Sequence, residues 1–226
     1  MHIHLPKPLH GWREFLGEVG IIVIGVLIAL GLEQAVEAWH WHTKVDHAVA
    51  GLSFEVAETM GQAQERLNVA SCVERRLDEL ASILESASRR RQLPALGRVG
   101  VPPVRTYSTG VWQSTLAGQT AEHLTDDQRT AYSVIYGFAE LLSTTNRHEL
   151  DEWTRLATMS GPGRKLEAAQ ADALRLALGQ ARTDHETILH YSIRLRQVVA
   201  ARNTPFEREF ASSFNQPQSA YTRSWR

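Results

Sequence analysis

The stretch FLGEVGIIVIGVLIALGL, Phe15 to Leu32, decides the fold. From Val19 to Leu32 no side chain is polar, and across the whole stretch the one ionisable group is Glu18. Eighteen residues of α-helix rise about 27 Å, close to the roughly 30 Å of a bilayer's hydrocarbon core. Ten of the residues from Val19 to Leu32 are Val, Ile or Leu. At about −0.3 to −0.6 kcal/mol each they outweigh one acid near the end of the span, which costs less than its central value of about 2.5. An interfacial amphipathic helix needs a polar face, and none exists here.

The flanks agree with a span. Trp12 and Arg13 precede the strip, and Trp39 and Trp41 follow it. Trp12 and Trp39 stand about 40 Å apart along a helix, matching the two aromatic belts of a bilayer. Lys7 and Arg13 lie on the N-terminal side, whereas Glu33, Glu37 and Asp46 outnumber Lys44 on the other. The positive-inside rule then keeps the N-terminus in the cytoplasm and exports the rest. A cleaved signal peptide is the rival, because Ala29-Leu-Gly31 fits a small-x-small cleavage site. Glu14, Glu18 and the length of the strip argue against it.

Outside the strip the composition is that of an ordinary globular domain. The 226 residues carry 24 basic and 25 acidic side chains, for a net charge of −1. Mean hydropathy is −0.27. No surplus of positive charge exists to attract phosphates, so nucleic acid is not an expected partner. One cysteine, Cys72, excludes a disulfide scaffold and reads as a small buried residue.

Helical signals fill the remainder. Val45, Val49, Leu52, Val56, Met60 and Leu67 mark a segment over 43–69. Val73, Leu77, Leu80 and Leu84 form a single helical stripe over 71–91. A Pro- and Gly-rich loop follows from Gln92 to Gly110, then a short helix over 111–122. Thr125-Asp-Asp-Gln128 is a capping box opening a helix to about Ala157. Ser160-Gly-Pro-Gly163 breaks the chain before a last long helix over 165–201. No alternation long enough for a sheet occurs. The expected fold is all-α: one N-terminal transmembrane helix, then an antiparallel helical bundle. The boundaries are 1–12 for a cytoplasmic stub, 13–40 for the span, 41–204 for a periplasmic bundle, and 205–226 for a short amphipathic piece and tail.

Few residues propose chemistry. His40, His42 and His47 cluster without completing a metal-ligand set and read as an interfacial Trp-His belt. His148 and Glu152, one turn apart, read as a solvated pair, and His185 as a core histidine. Gly25-x-x-x-Ala29, with Gly17 and Gly20, offers a small-residue surface where another membrane helix can pack, and Glu18 is a candidate contact beside it. Tyr107 and Trp112, in the segment Tyr107-Ser-Thr-Gly-Val-Trp112, are either a candidate partner-binding loop or a plug on the bundle. No catalytic, cofactor or metal residue is expected.

The block Leu5-Pro-Lys-Pro-Leu-His-Gly-Trp-Arg-Glu-Phe-Leu-Gly-Glu-Val-Gly20, continued by IIVIGVLIALGLEQAVEAWHW, resembles the N-terminus of a bacterial group of uncharacterised membrane-anchored proteins. Cys72-Val-Glu-Arg-Arg-Leu-Asp-Glu-Leu80 and Tyr107 to Trp112 are similar to later segments of that group. The resemblance implies an inner-membrane protein with its soluble part in the periplasm, and no catalytic residue. The expected function is a non-catalytic, single-pass protein whose helical domain binds or scaffolds a membrane or envelope partner, homo-oligomers included. The alternatives are a periplasmic ligand sensor working through a membrane partner, and a hydrolytic or metal-dependent enzyme.

Overall fold

In a computed structural model, residues 11–214 are described. The first ten residues of the expected stub and most of the expected C-terminal tail lie outside them. The described residues are mostly helical, with 79% of them in helix and 3% in strand. Five α-helices are described: α1 (Trp12–Arg90), α2 (Gly110–Ala117), α3 (Asp126–Ala157), α4 (Ala168–Ala201) and α5 (Arg208–Ser212). A 3₁₀ turn over Thr120–His123 separates α2 from α3. The chain divides into two compact units, Met1–His47 and Ala48–Arg226.

In the first unit α1 is apolar all round from Val19 to Leu32, and that stretch is uncovered. An 18-residue window of it has a mean hydropathy of 2.5, and none of that window is buried. Among the described residues this is the one helix long and apolar enough to cross a membrane.

The second unit is built on one core. Val69, Val73, Leu77, Leu80, Leu84 and Ala87 of α1 meet Trp153 and Leu156 of α3 and Ala171 to Ala181 of α4. On α4 the helical stripe that the sequence sets at Leu174, Leu178, Ala181, His185, Ile188, Leu195 and Val199 is buried along its length. The pairs Phe138–Tyr191 and His148–Asp184 show α4 descending as α3 climbs. The pairs Glu55–Tyr136 and Arg66–Glu149 show α3 climbing with α1. The return leg between these two parallel helices is extended chain, residues 98–109, which we call the strap.

Three expectations change. The segments 43–69 and 71–91 are one helix, because nothing between them breaks it and buried Val69 carries the stripe across Ala70. It ends at Arg91, whose φ of 52° is left-handed. The helix expected over 111–122 stops at Ala117, since Gln119 is also left-handed. A two-stranded ribbon joins β1 (Gln92–Leu93) to β2 (Arg164–Lys165), extended by the bridge Leu96–Gly161. The expectation of no sheet missed this ribbon because strands of two residues carry no alternation. The capping box at Thr125 and Gln128 is present.

After α4, Asn203 turns the chain at φ 47° and α5 returns to α1. Phe210 meets Phe54 edge-on at 6.1 Å. Gly61 makes the approach possible: a Cβ there would stand 2.7 Å from the Ala211 carbonyl oxygen and 2.5 Å from the Phe214 ring. Gly61→Ala would raise the helix propensity of α1 by roughly 1 kcal/mol, yet it should displace α5. Hydrogen exchange should then speed up at Arg208–Ser212 while the α3 and α4 amides stay protected. Unchanged protection of α5 would refute this docking.

Candidate functional site

Two features combine residues in ways that ordinary packing does not require: the uncovered segment of α1, and a charged seam inside the second unit.

Along the uncovered segment, Trp12 and Trp39 are largely exposed. Helical geometry sets them about 40 Å apart. Trp41 lies under the Lys44 ammonium, 4.6 Å from its ring centre. Gly17, Gly20 and Gly25 have open space where a Cβ would stand. At roughly 100° per residue, Glu18, Gly25 and Ala29 fall within about 40° of one another on the helix. Gly17 and Gly20 are turned about 100° and 160° away from Glu18, so the five residues do not share a single groove. His42 pairs with Asp46 at 2.9 Å, away from His40 and His47. Among the described residues no three His, Cys, Asp or Glu side chains gather as a metal-holding group.

The seam follows the strap. Its backbone has no sheet partner, and buried backbone groups need one. The α1 face supplies them. Arg76 donates to the Val99 and Arg98 carbonyls at 3.0 and 2.8 Å. Arg66 donates to the Pro103 carbonyl at 3.4 Å, and Gln62 to that of Thr106 at 3.3 Å. Glu65 takes both arms of Arg105 at 2.6 and 2.7 Å, and Asn146 of α3 donates to the Arg105 carbonyl at 2.7 Å.

Glu55 closes the upper end. Its carboxylate accepts from Ser108 Oγ at 2.8 Å, the Val111 and Trp112 amides at 3.0 and 3.2 Å, and Tyr136 Oη at 2.6 Å. Thr109, the residue before α2, makes no side-chain cap. Glu55 caps that helix from across the fold, placing negative charge where free amides point. Trp112 stacks on Tyr136 at 5.4 Å with the rings 4° from parallel. Tyr107 is also buried, which pushes its phenol up to about 12. Both aromatic residues of the Tyr107–Trp112 segment are therefore buried.

At the centre lies Arg66, fully buried. It pairs with Glu149 of α3 at 2.8 Å and contacts His185 Nδ1 of α4 at 3.3 Å. The guanidinium can only donate, so Nδ1 accepts and the neutral ring carries its proton on Nε2. Burial, then the charge of Arg66, lower the His185 pKa to about 4. Burial raises Glu149 against the pull of Arg66. His185 and Glu149 are 2% and 1% exposed, so they meet protein rather than solvent. His148 pairs across helices with Asp184 at 2.6 Å, while Glu152 stands 3.9 Å away. That hydrogen bond and the Asp184 charge raise its pKa. Cys72 is buried, with Arg75 donating to its sulfur at 3.4 Å.

Sequence reasoning missed Glu55, Glu65, Arg66 and Arg76. A usable signal was present: extending the Val73–Leu84 stripe backwards in steps of three and four meets Val69, Arg66, Gln62, Thr59 and Glu55. No protein-family model matches the chain, and no match is found among curated proteins or solved structures.

Two measurements check the seam. Glu55→Ala leaves several buried donors without an acceptor and should destabilise the second unit by about 3 kcal/mol or more. Glu85→Ala, which removes an exposed pair with Arg89, should stay within about 0.5 kcal/mol. Equal melting of the two variants would remove the capping role. The two histidines should titrate in opposite directions from 6.5 by NMR. The His148 pair stabilises fully below pH 6.5 and fades as pH rises through its raised value. Neutral His185 has its full effect above 6.5, and stability falls as pH drops from there towards about 4. Glu149 carries the reverse sign over that range, so the comparison is with His185→Gln. The wild type should lose melting temperature faster than this variant on acidification.

Proposed function

We propose that this chain is a single-pass inner-membrane protein of the membrane-anchored bacterial kind that its first block resembles. Residues 13–40 span the bilayer with the N-terminus in the cytoplasm. The helical bundle that follows lies in the periplasm and binds or scaffolds another membrane or envelope protein, without catalysis. One observation carries the membrane half: an apolar window of mean hydropathy 2.5 that its own chain leaves entirely uncovered. Burying such a surface is worth about 25 cal/mol per Å², and a lipid core is a solvent that provides it. The tryptophans near both ends support the same reading. The scaffold half is supported by the seam, whose buried charges hold strap and helices together.

Membrane fractionation tests it. The full-length chain should stay in the pellet after an alkaline wash. A fragment starting at His42 should be soluble, and external protease should reach the body only after the outer membrane is opened. Full-length protein in the soluble fraction, or the fragment in the pellet, would sink the reading. A mature N-terminus at Leu32 would replace the anchor with a cleaved leader. Recovery of the full-length chain alone and monomeric from several mild detergents would overturn the scaffold half.

A further inference from the structure

The turn after α4 separates two hollows in the second unit. The larger, of about 790 Å³, lies between Met60 of α1, the last turns of α4 and the segment 203–208. The smaller, of about 550 Å³, lies on the α3 side and shares Asn203, Thr204 and Pro205 with the first. Small organic ligands occupy cavities of about 300–1,000 Å³, mostly apolar with a few convergent polar groups.

The larger hollow has that character. Met60, Val199 and Phe206 give it an apolar wall, and its charged lining residues are Arg196 and Arg208. Among the described residues no acid lines it. Among the described residues neither guanidinium has an ion-pair partner, although the chain as a whole is slightly acidic. Phe206 lies 6.0 Å from the Arg208 guanidinium, so the ring borders the charge.

The second observation is polar and buried. Thr204 lines both hollows and is 7% exposed, yet its hydroxyl has no hydrogen-bond partner among the described residues. Tyr132, 1% exposed, lines the smaller hollow with its hydroxyl equally unpartnered. A buried hydroxyl left without a partner costs roughly 1–3 kcal/mol, and two of them border the same turn. Asn203 fixes that turn in the left-handed region, which holds Thr204 at the rim of both hollows.

We propose that this cavity binds a small organic anion with an apolar body. Arg196 and Arg208 hold the carboxylate or phosphate head, Thr204 donates its hydroxyl to the bound molecule, and Met60, Val199 and Phe206 cover the body. Charge selects the head and the wall selects the body, so neither a neutral analogue nor a bare anion satisfies both.

Calorimetry on the full-length protein in neutral-lipid nanodiscs, with empty nanodiscs as the blank, tests this. The probes are 4-phenylbutyrate, 4-phenylbutan-1-ol and inorganic phosphate. Phenylbutyrate should bind saturably. The alcohol should bind at least about tenfold more weakly, the size of one charge-assisted contact. Inorganic phosphate should give no saturable heat. R196A/R208A should weaken phenylbutyrate by at least about tenfold, and R196K/R208K should restore most of the loss, because the charge returns. Thr204→Val should weaken it by about threefold or more. Absence of saturable phenylbutyrate binding would overturn the proposal, as would equal affinity for the alcohol or an unaffected alanine variant. Phosphate binding as tightly as phenylbutyrate would remove the apolar half.

Discussion

Extended chain cannot be buried against a helix unless something answers its amides and carbonyls. That constraint organises the second unit. The strap has no neighbouring strand along 98–109, so α1 answers its carbonyls from the side chains of Arg76, Arg66 and Gln62, while Glu55 accepts from the Ser108 hydroxyl. Once these contacts form, the strap's path is fixed. The start of α2 is fixed with it, through the Glu55 carboxylate. Tyr136 is then held between Trp112 and Glu55, which sets where α3 begins its climb. The core of leucines and valines fills the space so defined.

The interior charges differ in what they require. Glu55 and Arg76 answer groups of the strap and gain several short hydrogen bonds. Arg66 and Glu149 answer mainly one another, and a buried pair of this sort contributes little net stability over an apolar replacement. Removing one partner is another matter, costing about 3–5 kcal/mol, since a naked charge is left behind. The neutral state of His185 belongs to the same balance. A second cation beside Arg66 would gain less from Glu149 than it lost to repulsion and burial.

Much of the helical layout was legible because the signals were local. The stripe of α4, the capping box at Thr125 and the uncovered strip of α1 each rest on residues within a few turns. The seam was not legible because its partners are distant and its residues look like surface. Arg66 and Glu55 occupy the face that Val73, Leu77 and Leu80 occupy further on. Dividing 43–69 from 71–91 at Ala70 put them on a separate helix and hid that phase. Apolar counting then placed Met60 and Leu67 inside, where they are half-buried, while Arg66 is fully buried. His148 shows the same limit: spacing offered Glu152, but tertiary packing brought Asp184 nearer. The ribbon between β1 and β2 is too short for any periodicity. The unpartnered hydroxyls of Thr204 and Tyr132 exist only once α3 and α4 have met.

The sequence separations in the seam bear on the order of synthesis. Arg66 reaches Pro103, 37 residues later, Glu149, 83 later, and His185, 119 later. A chain emerging from its N-terminus therefore displays a lone guanidinium on a finished helix long before its carboxylate exists. Water must solvate that face until α3 is made, and the neutral imidazole arrives later still. Closing such long loops is slow. Any product cut short before α4 keeps the Arg66–Glu149 pair without its covering helix, a wet and half-closed face that proteases can reach. Complete translation thus becomes a condition of compactness.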